Sequence, residues 1–316
     1  MPTRRNVLML LSSYLGLACF PAFAQPKKKR IAFANYNDES SFGVLILRGV
    51  QAAAKARPDV EMLYYDNKQD AAQAVAVARQ VATVRPDAFI EYNSIATAAN
   101  QQVARLIEAA KVPMLSVQVR VANTPLFAVD NELAGYESGK GLAAAAKARW
   151  PGAVPQVLII GLPESGQIYI DRAEAARKAI LEAFPGAKVE DFSSKNDPNV
   201  ARQIATDFLT KNPGKKAIIW AHIDAVGIAS ITAARNSGRE QDVLVSSTGG
   251  EVVAFPEIRK PNSSYVGTFS FFPESWGKDM LEAAIKLADK QPIPDIVRPS
   301  KQLFIDKSNI DTLFPK

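Results

Sequence analysis

His222 is the only histidine in the sequence, and it is therefore a candidate catalytic or ligand-contacting residue. Asp224 follows two positions later, and a serine–histidine–acid relay would have to use this one histidine. The segment around Ser165 resembles a nucleophile turn but does not match the G-x-S-x-G pattern. A zinc site would need further histidine or cysteine ligands, and the only cysteine is Cys19. We therefore expect that the protein is not an enzyme and has no metal site and no cofactor.

Patterns for nucleotide and nucleic-acid binding are missing as well. The sequence has no Walker-type loop and no Gly-x-Gly-x-x-Gly element. Its 38 basic and 32 acidic residues leave a net charge of +6, and four of the basic residues form the run 27–30. We interpret that run as a solvated leader before the first strand, because no basic stripe with interleaved aromatic residues follows elsewhere. No nucleic-acid partner is expected.

The amino terminus predicts a secretory signal peptide. Two arginines at positions 4 and 5 precede an apolar run from Val7 to Phe20, and residues 22–24 (AFA) have the small-x-small pattern of a cleavage site. The apolar run is too short to span a bilayer permanently. We expect residues 1–24 to be the signal peptide, with cleavage after Ala24 and a periplasmic location. A lipid anchor on Cys19 is the alternative.

The mature chain is large and has no cysteine, so its stability must come from buried surface. It retains about 290 residues, which is more than one hydrophobic core usually supports. Two lobes are the natural expectation.

Short apolar segments alternate with longer amphipathic ones after residue 30. Predicted strands cover 31–36, 60–65, 87–92, 113–117, 154–161, 188–192, 216–221, 243–247, 265–270 and 297–304. Predicted helices cover 41–57, 71–83, 96–110, 171–184, 199–211, 224–236 and 274–290. This alternation is typical of parallel sheets covered on both faces by helices and joined by right-handed crossovers. Two such runs predict two similar α/β lobes.

Several stretches of the chain match one known family in their order and spacing. They are residues 42–49 (FGVLILRG), 112–115 (VPML), 129–135 (VDNELAG), 172–176 (RAEAA), 220–224 (WAHID) and 268–273 (TFSFFP), with Gly277. With these stretches the chain resembles the periplasmic sugar-binding proteins, typified by ribose- and galactose-binding proteins, from residue 31 to about residue 306.

The resemblance implies the type I periplasmic binding fold, an α/β fold of two Rossmann-like lobes with parallel sheets joined by a three-segment hinge. The crossings are expected near Asp130, near Phe271 and near residues 292–294. The amino-terminal lobe would then comprise 30–130 plus 271–291, and the carboxy-terminal lobe 131–270 plus 292–316. Ligand would bind between the lobes at the carboxyl ends of the strands.

The implied function is that of the solute-binding component of an ABC importer, a monomer whose partner is an inner-membrane ABC permease. The small-molecule ligand would be a carbohydrate or a carbohydrate-like compound. The alternative is a periplasmic ligand sensor that feeds a chemoreceptor or a sensor histidine kinase. Sequence does not separate the two roles.

Strand ends and the resemblance together predict the ligand-binding residues. They are Tyr36, Ser40, Phe42, Tyr92, Asn93, Gln118, Tyr169, Arg172, Asn196, His222, Asp224, Gly249 and Phe271. By resemblance, Arg172 is an ionic or bidentate anchor, and Phe42 and Phe271 are apolar walls. Gln118, His222 and Asp224 are expected to be orienting polar groups.

Several of these positions depart from the sugar-binding pattern. Ile223 replaces an asparagine, Gly249 and Gln118 each replace a hydroxyl-binding aspartate, Phe271 replaces a hinge glutamine, and Asn196 falls near an expected stacking aromatic. The ligand is therefore expected to be less hydroxylated or less polar than ribose. A carboxylate or another anion paired with Arg172, a deoxy sugar, a polyol, and an aromatic or heterocyclic metabolite all remain open.

Overall fold

The structure is a computed structural model and describes residues 27–93 and 98–315. The predicted signal peptide and the predicted start of the third helix at Ala96 lie outside these residues. The strands are β1 (Lys29–Asn35), β2 (Val60–Asp66), β3 (Ala88–Glu91), β4 (Met114–Val117), β5 (Leu126–Phe127), β6 (Gln156–Gly161), β7 (Val189–Ser193), β8 (Ala217–Ala221), β9 (Val243–Gly249), β10 (Tyr265–Ser270), β11 (Ile296–Val297) and β12 (Leu303–Asp306).

The helices lie between these strands in the order that the sequence predicts for an α/β fold. They are α1 (Ser41–Lys55), α2 (Ala71–Val84), α3 (Ala99–Ala109), α4 (Asn131–Arg149), α5 (Gln167–Ala183), α6 (Pro198–Lys211), α7 (Asp224–Asn236), α8 (Phe255–Arg259), α9 (Trp276–Ala288) and α10 (Ile310–Leu313). The longest of them, α4, was not predicted, because its buried positions are mostly alanine, glycine and serine and give no apolar stripe.

Two six-stranded sheets organise the described residues. The first has the order β11-β5-β4-β3-β1-β2 and is parallel throughout. The second has the order β12-β10-β9-β8-β6-β7 and is parallel except at its edge, where β12 runs antiparallel to β10. The two-lobed α/β fold expected from the sequence is confirmed.

Each sheet is covered on both faces because successive side chains of a strand point to opposite sides. In β1, Ile31 and Phe33 join a core cluster that includes Trp276 of α9, whereas Ala32 and Ala34 join a cluster with α2 and α3. The second sheet repeats this arrangement with two clusters of its own. Burial on both faces explains why the strands read as continuous apolar runs.

The chain crosses between the sheets three times, and the last crossing differs from the prediction. A single strand over 297–304 is wrong: β11 pairs with β5 in the first sheet, whereas β12 pairs with β10 in the second. The third crossing therefore lies between Val297 and Leu303, a few residues after the expected 292–294. Lobe boundaries drawn from sequence place β11 in the wrong sheet, since an edge strand of two residues has no pattern of its own. The complete division of the chain into two domains stays a prediction.

None of the helices within residues 27–93 and 98–315 is both long enough and apolar enough to span a membrane.

Candidate ligand-binding cleft

A cavity of about 360 Å³ lies between the two sheets, where strands of both lobes end. From the first lobe, Tyr36 follows β1, Tyr92 follows β3 and Gln118 follows β4. From the second lobe, Asn196 follows β7 and Gly249 ends β9. Carboxyl ends of parallel strands converge on such a crevice because the crossover helices carry the chain back to the other end of the sheet.

A second depression of about 390 Å³ lies on the second lobe alone, between α5 and the strands β6 and β7. The ion pair of Arg177 with Asp191 lies among its lining residues. We assign the functional site to the first cavity, because only that one draws its walls from both lobes.

Ten of the thirteen predicted site residues line the cavity between the lobes: Tyr36, Ser40, Phe42, Tyr92, Gln118, Tyr169, Arg172, Asn196, Gly249 and Phe271. The other three, Asn93, His222 and Asp224, are buried and do not line it. Ligand contact by the ten remains a prediction.

An aromatic cluster forms the wall on the side of the first lobe. The rings of Tyr36 and Tyr92 lie 4.8 Å apart between centroids. Phe42 packs edge-on against Trp276 at 5.4 Å and against Phe271 at 6.4 Å. The Trp276 Nε1 donates to the backbone oxygen of Phe271 at 2.7 Å, which holds this crossing against α9. The side of the cleft formed by the first lobe therefore presents ring faces and edges to the cavity.

Ser40 has a structural task at the same rim. Its Oγ accepts a hydrogen bond from the backbone amide of Gly43 at 3.0 Å and so caps α1. The same hydroxyl lies 2.5 Å from the Tyr36 hydroxyl. Ser40 thus positions α1 and Tyr36 whether or not it contacts a ligand.

Arg172, on α5, is the positive charge of the cavity lining and only 5% of it is exposed. Its Nε and Nη2 donate to Asn131 Oδ1 at 3.1 and 2.6 Å. Its Nη1 donates to the backbone oxygen of His222 and to Thr248 Oγ1, at 3.3 and 3.1 Å. The guanidinium also lies over two rings, 4.9 Å from the centroid of Phe271 and 5.3 Å from that of Tyr169. These contacts fix the orientation of the group, and burial lowers its pKa.

Asp224 lies beneath the cleft and does not line the cavity, and its expected role in orienting a ligand stays a prediction. Its carboxylate accepts hydrogen bonds from the Ser247 hydroxyl, from the Tyr265 hydroxyl at 2.9 Å and from the Glu251 amide at 2.6 Å. Burial raises its pKa to about 6. Since all of these donors come from the second lobe, the carboxylate links α7 to β9 and β10.

His222 does not line the cavity either, and its expected role as an orienting group stays a prediction. Its side chain is fully buried, and neither ring nitrogen has a hydrogen-bond partner among the described residues. Burial and the nearby Arg172 charge lower its pKa to about 3, so the imidazole is neutral. Its ring packs against Tyr169, one of the lining residues, at 6.0 Å between centroids. The side chain thus lies behind the wall, and its backbone oxygen holds Arg172.

Asn93 was expected at the rim and is instead packed inside the first lobe. Its Nδ2 donates to Asn100 Oδ1 of α3 at 2.7 Å, and only 2% of the residue is exposed. Tyr92 faces the cavity and Asn93 does not, since neighbouring residues at a strand end point in different directions.

Gly249 has a steric reason to lack a side chain. Its φ is +134°, and a Cβ atom there would lie 2.8 Å from Asp224 Oδ2. A side chain at this position would therefore crowd the buried carboxylate of Asp224.

The cavity lining includes ten residues outside the predicted set: Ser41, Gln69, Val119, Val129, Ile168, Pro198, Ile223, Ala225, Glu251 and Trp276. Gln69 and Val119 follow β2 and β4 by a few residues, so the strand-end rule applied more widely would have found them. Trp276 comes from a helix start after a crossing, and no local pattern marks it. Ser41 Oγ donates to Glu251 Oε2 at 2.6 Å, which joins the two lobes at the mouth of the cleft.

A buried acid lies next to the aromatic wall. Glu91 is fully buried, and its Oε1 accepts a hydrogen bond from Asn67 Nδ2 at 3.1 Å. Its Oε2 and the Asn67 Oδ1 have no partner among the described residues. Burial raises the pKa of Glu91 to about 8, so the acid is protonated at neutral pH and is itself a donor.

Solved structures share this two-lobed architecture. An ABC transporter periplasmic solute-binding protein from Actinobacillus succinogenes with bound D-allose aligns with a TM-score of 0.79 and 23% identity, covering 90% of this chain and all of that one. A solute-binding protein from Mycobacterium smegmatis with bound glycerol has a TM-score of 0.79 and 19% identity, at 92% and 98% coverage. One from Bacillus halodurans with bound myo-inositol has a TM-score of 0.75 and 15% identity, at 92% and 98% coverage.

The sequence itself matches a family model. No curated protein matches the chain significantly. The model of the periplasmic binding protein domain matches residues 31–292, which include nearly all of both sheets and the whole lining of the cleft. The chain therefore belongs to the periplasmic binding protein domain family.

Proposed function

We propose that this protein is the periplasmic solute-binding component of an ABC importer, which captures one small molecule between its lobes. The cavity between the two sheets carries this proposal, because its walls come from both lobes and the chain crosses between them three times. Such connections act as a hinge, and closure buries the ligand and changes the surface that a permease meets.

Related structures support a small solute as cargo. The aligned proteins from Actinobacillus succinogenes, Mycobacterium smegmatis and Bacillus halodurans hold D-allose, glycerol and myo-inositol. A cavity of about 360 Å³ is of the size that small-molecule sites usually have. A compound of similar size is thus the first class of ligand to test.

The state of the polar groups near the cleft is consistent with a protein that binds its ligand and does not convert it. The lone histidine is neutral and lies behind the wall, and the Asp224 carboxylate is occupied by donors of the protein. Ser247, whose hydroxyl donates to Asp224, is buried and does not line the cavity. The proposal includes an inner-membrane ABC permease as the partner, a monomeric state and export by the amino-terminal segment.

A thermal-shift screen of the purified protein tests the binding function. Sugars, polyols and organic acids are compared, and at least one compound should raise the melting temperature in a saturable way, because binding to the folded state stabilises it. Ala225→Trp, which fills the cavity, should abolish that shift. Val252→Trp, at a neighbouring residue that is 64% exposed, should leave it unchanged.

Loss of function in the cell separates import from sensing. A strain that lacks this protein should lose uptake of the labelled compound identified by the screen. Normal uptake in that strain, with loss of the transcriptional or chemotactic response, would instead support the sensor alternative. A screen with no saturable shift for any compound would contradict the proposed binding function.

A further inference from the structure

Arg172 is a buried cation without a carboxylate partner. The acceptors of its hydrogen bonds are an amide oxygen of Asn131, a hydroxyl of Thr248 and the backbone oxygen of His222, all of which are neutral. Its guanidinium also lies over the rings of Phe271 and Tyr169, neither of which carries a carboxylate. A desolvated guanidinium costs free energy unless an anion accompanies it. The anion is missing from the described residues of the protein.

Arg172 and Gln118 each keep an unused donor at the cleft. A guanidinium has five N–H groups, and the four contacts of Arg172 leave one N–H of Nη2 unused. Gln118 lines the cavity at 8% exposure, and its Nε2 has no partner among the described residues. A ligand that satisfies these groups must bring acceptors.

The described lining of the cavity has one carboxylate, that of Glu251. One of its oxygens accepts from Ser41 at the mouth, and the Asp224 carboxylate is held beneath the cleft. The hydroxyls of a sugar would depend mainly on the amide and hydroxyl oxygens of the lining, which are weaker acceptors than carboxylates.

Ring faces and apolar side chains form most of the remaining wall. They are Tyr36, Phe42, Tyr92, Val119, Val129, Ile168, Tyr169, Pro198, Ile223, Phe271 and Trp276. A flat apolar body packs favourably against such rings.

Resting on the proposed binding function, we propose that the cleft takes a small monocarboxylate whose body is an aromatic or other apolar ring. The carboxylate accepts from Arg172 and Gln118, and the ring lies against the aromatic wall. This is a different ligand chemistry from that of the hydroxyl-rich sugar sites to which the sequence is similar.

Isothermal titration calorimetry with matched compounds tests the ligand class. The probes are benzoate, phenylacetate, 3-phenylpropionate and cyclohexanecarboxylate, each compared with its primary amide, together with D-allose and myo-inositol. An amide has nearly the shape of the acid but no charge. We expect at least one carboxylate to bind, about 10-fold or more tightly than its amide.

Arg172→Gln provides the decisive variant, and Arg177→Gln on the same helix is its control. Arg177 is paired with Asp191 outside the cleft. Arg172→Gln should weaken carboxylate binding by about 100-fold and reduce the acid-to-amide ratio of affinities to near one. Arg177→Gln should preserve both values. General damage to the fold would weaken acid and amide alike and leave their ratio unchanged, so the ratio isolates the charge.

The two proposals fail in distinguishable ways. Saturable binding of D-allose or myo-inositol with no binding of the carboxylates would overturn the ligand class and leave the proposed binding function in place. An unchanged acid-to-amide ratio in Arg172→Gln would overturn the assignment of the anion to Arg172. If no probe of either class binds, the ligand class is wrong, and the broader thermal-shift screen decides the binding function.

Discussion

At the scale of residues, the polar groups around the cleft are divided between holding the fold and facing the cavity. Asp224 and the backbone oxygen of His222 are used within the protein, where they fix β9 and Arg172. Arg172 and Gln118 keep unused donors at the cavity. This division affects stability and binding, because an unsatisfied hydrogen-bonding group costs far more free energy inside a protein than in water.

Glu91 permits a test of protonation at this scale. Below its ordinary pKa of 4.5 the acid is neutral in both the folded and the unfolded state. Between that value and about 8 the unfolded chain releases the proton while the folded protein retains it, so stability falls as the pH rises through this window. Glu91→Gln removes the penalty and keeps an acceptor oxygen for the Nδ2 of Asn67. We expect its melting temperature to exceed that of the wild type at pH 8 by more than at pH 5.5.

Glu61→Gln is the matched control, since Glu61 is an exposed glutamate on β2 of the same sheet. It should change little at either pH. A difference between Glu91→Gln and the wild type that is equal at both pH values would contradict a protonated Glu91.

At the scale of elements, small residues let α4 and α5 approach closely enough to place the cleft arginine. A Cβ atom on Gly135 would lie 1.9 Å from the backbone oxygen of Arg172, and one on Gly139 would lie 2.5 Å from that of Ala176. Asn131, at the start of α4, then reaches the Arg172 guanidinium. The stretch 131–149 thus positions the site through its backbone as well as through one side chain.

Gly135→Ala tests this coupling. The added methyl group must push the helices apart, so we expect a loss of about 1–3 kcal/mol in the free energy of unfolding and weaker ligand binding. Urea denaturation and calorimetry measure the two effects. Gly186→Ala, where a Cβ atom meets nothing within 4 Å, should change neither. If Gly135→Ala has the same free energy of unfolding as the wild type, the two helices have space for the added methyl group and the proposed close contact is wrong.

At the scale of the whole molecule, closure should depend on contacts that join the lobes. The hydrogen bond from Ser41 to Glu251 is such a contact at the mouth of the cleft. Ser41→Ala should destabilise the closed, liganded form and raise the dissociation rate of the bound compound by roughly 3- to 10-fold. Stopped-flow fluorescence measures this rate.

Ser193→Ala is the control, because it removes a comparable bond to Glu164 within one lobe. It should leave the rate unchanged. Equal rates in the wild type and Ser41→Ala would exclude this bond from closure.

The sequence by itself determined the fold class and half of the cavity lining. Apolar strands buried on both faces and amphipathic helices repeat along the chain, and this local pattern is sufficient to predict parallel α/β lobes. Residues that follow strands, such as Tyr36, Tyr92 and Gln118, were predicted at the cleft because parallel topology brings strand ends together. Order and spacing of short stretches then supplied the family, which the family model confirms.

Only the tertiary structure decided what each polar side chain does. Asp224 and His222 lie near strand ends, as residues of the cleft do. In the folded protein, however, Asp224 is hydrogen-bonded within the second lobe, and the His222 ring is buried without a hydrogen-bond partner among the described residues. The pairing of β11 and β12 with different sheets and the neutral acceptors that hold Arg172 also depend on residues far apart in sequence. Such contacts are set by packing across the molecule, and no local pattern of residues encodes them.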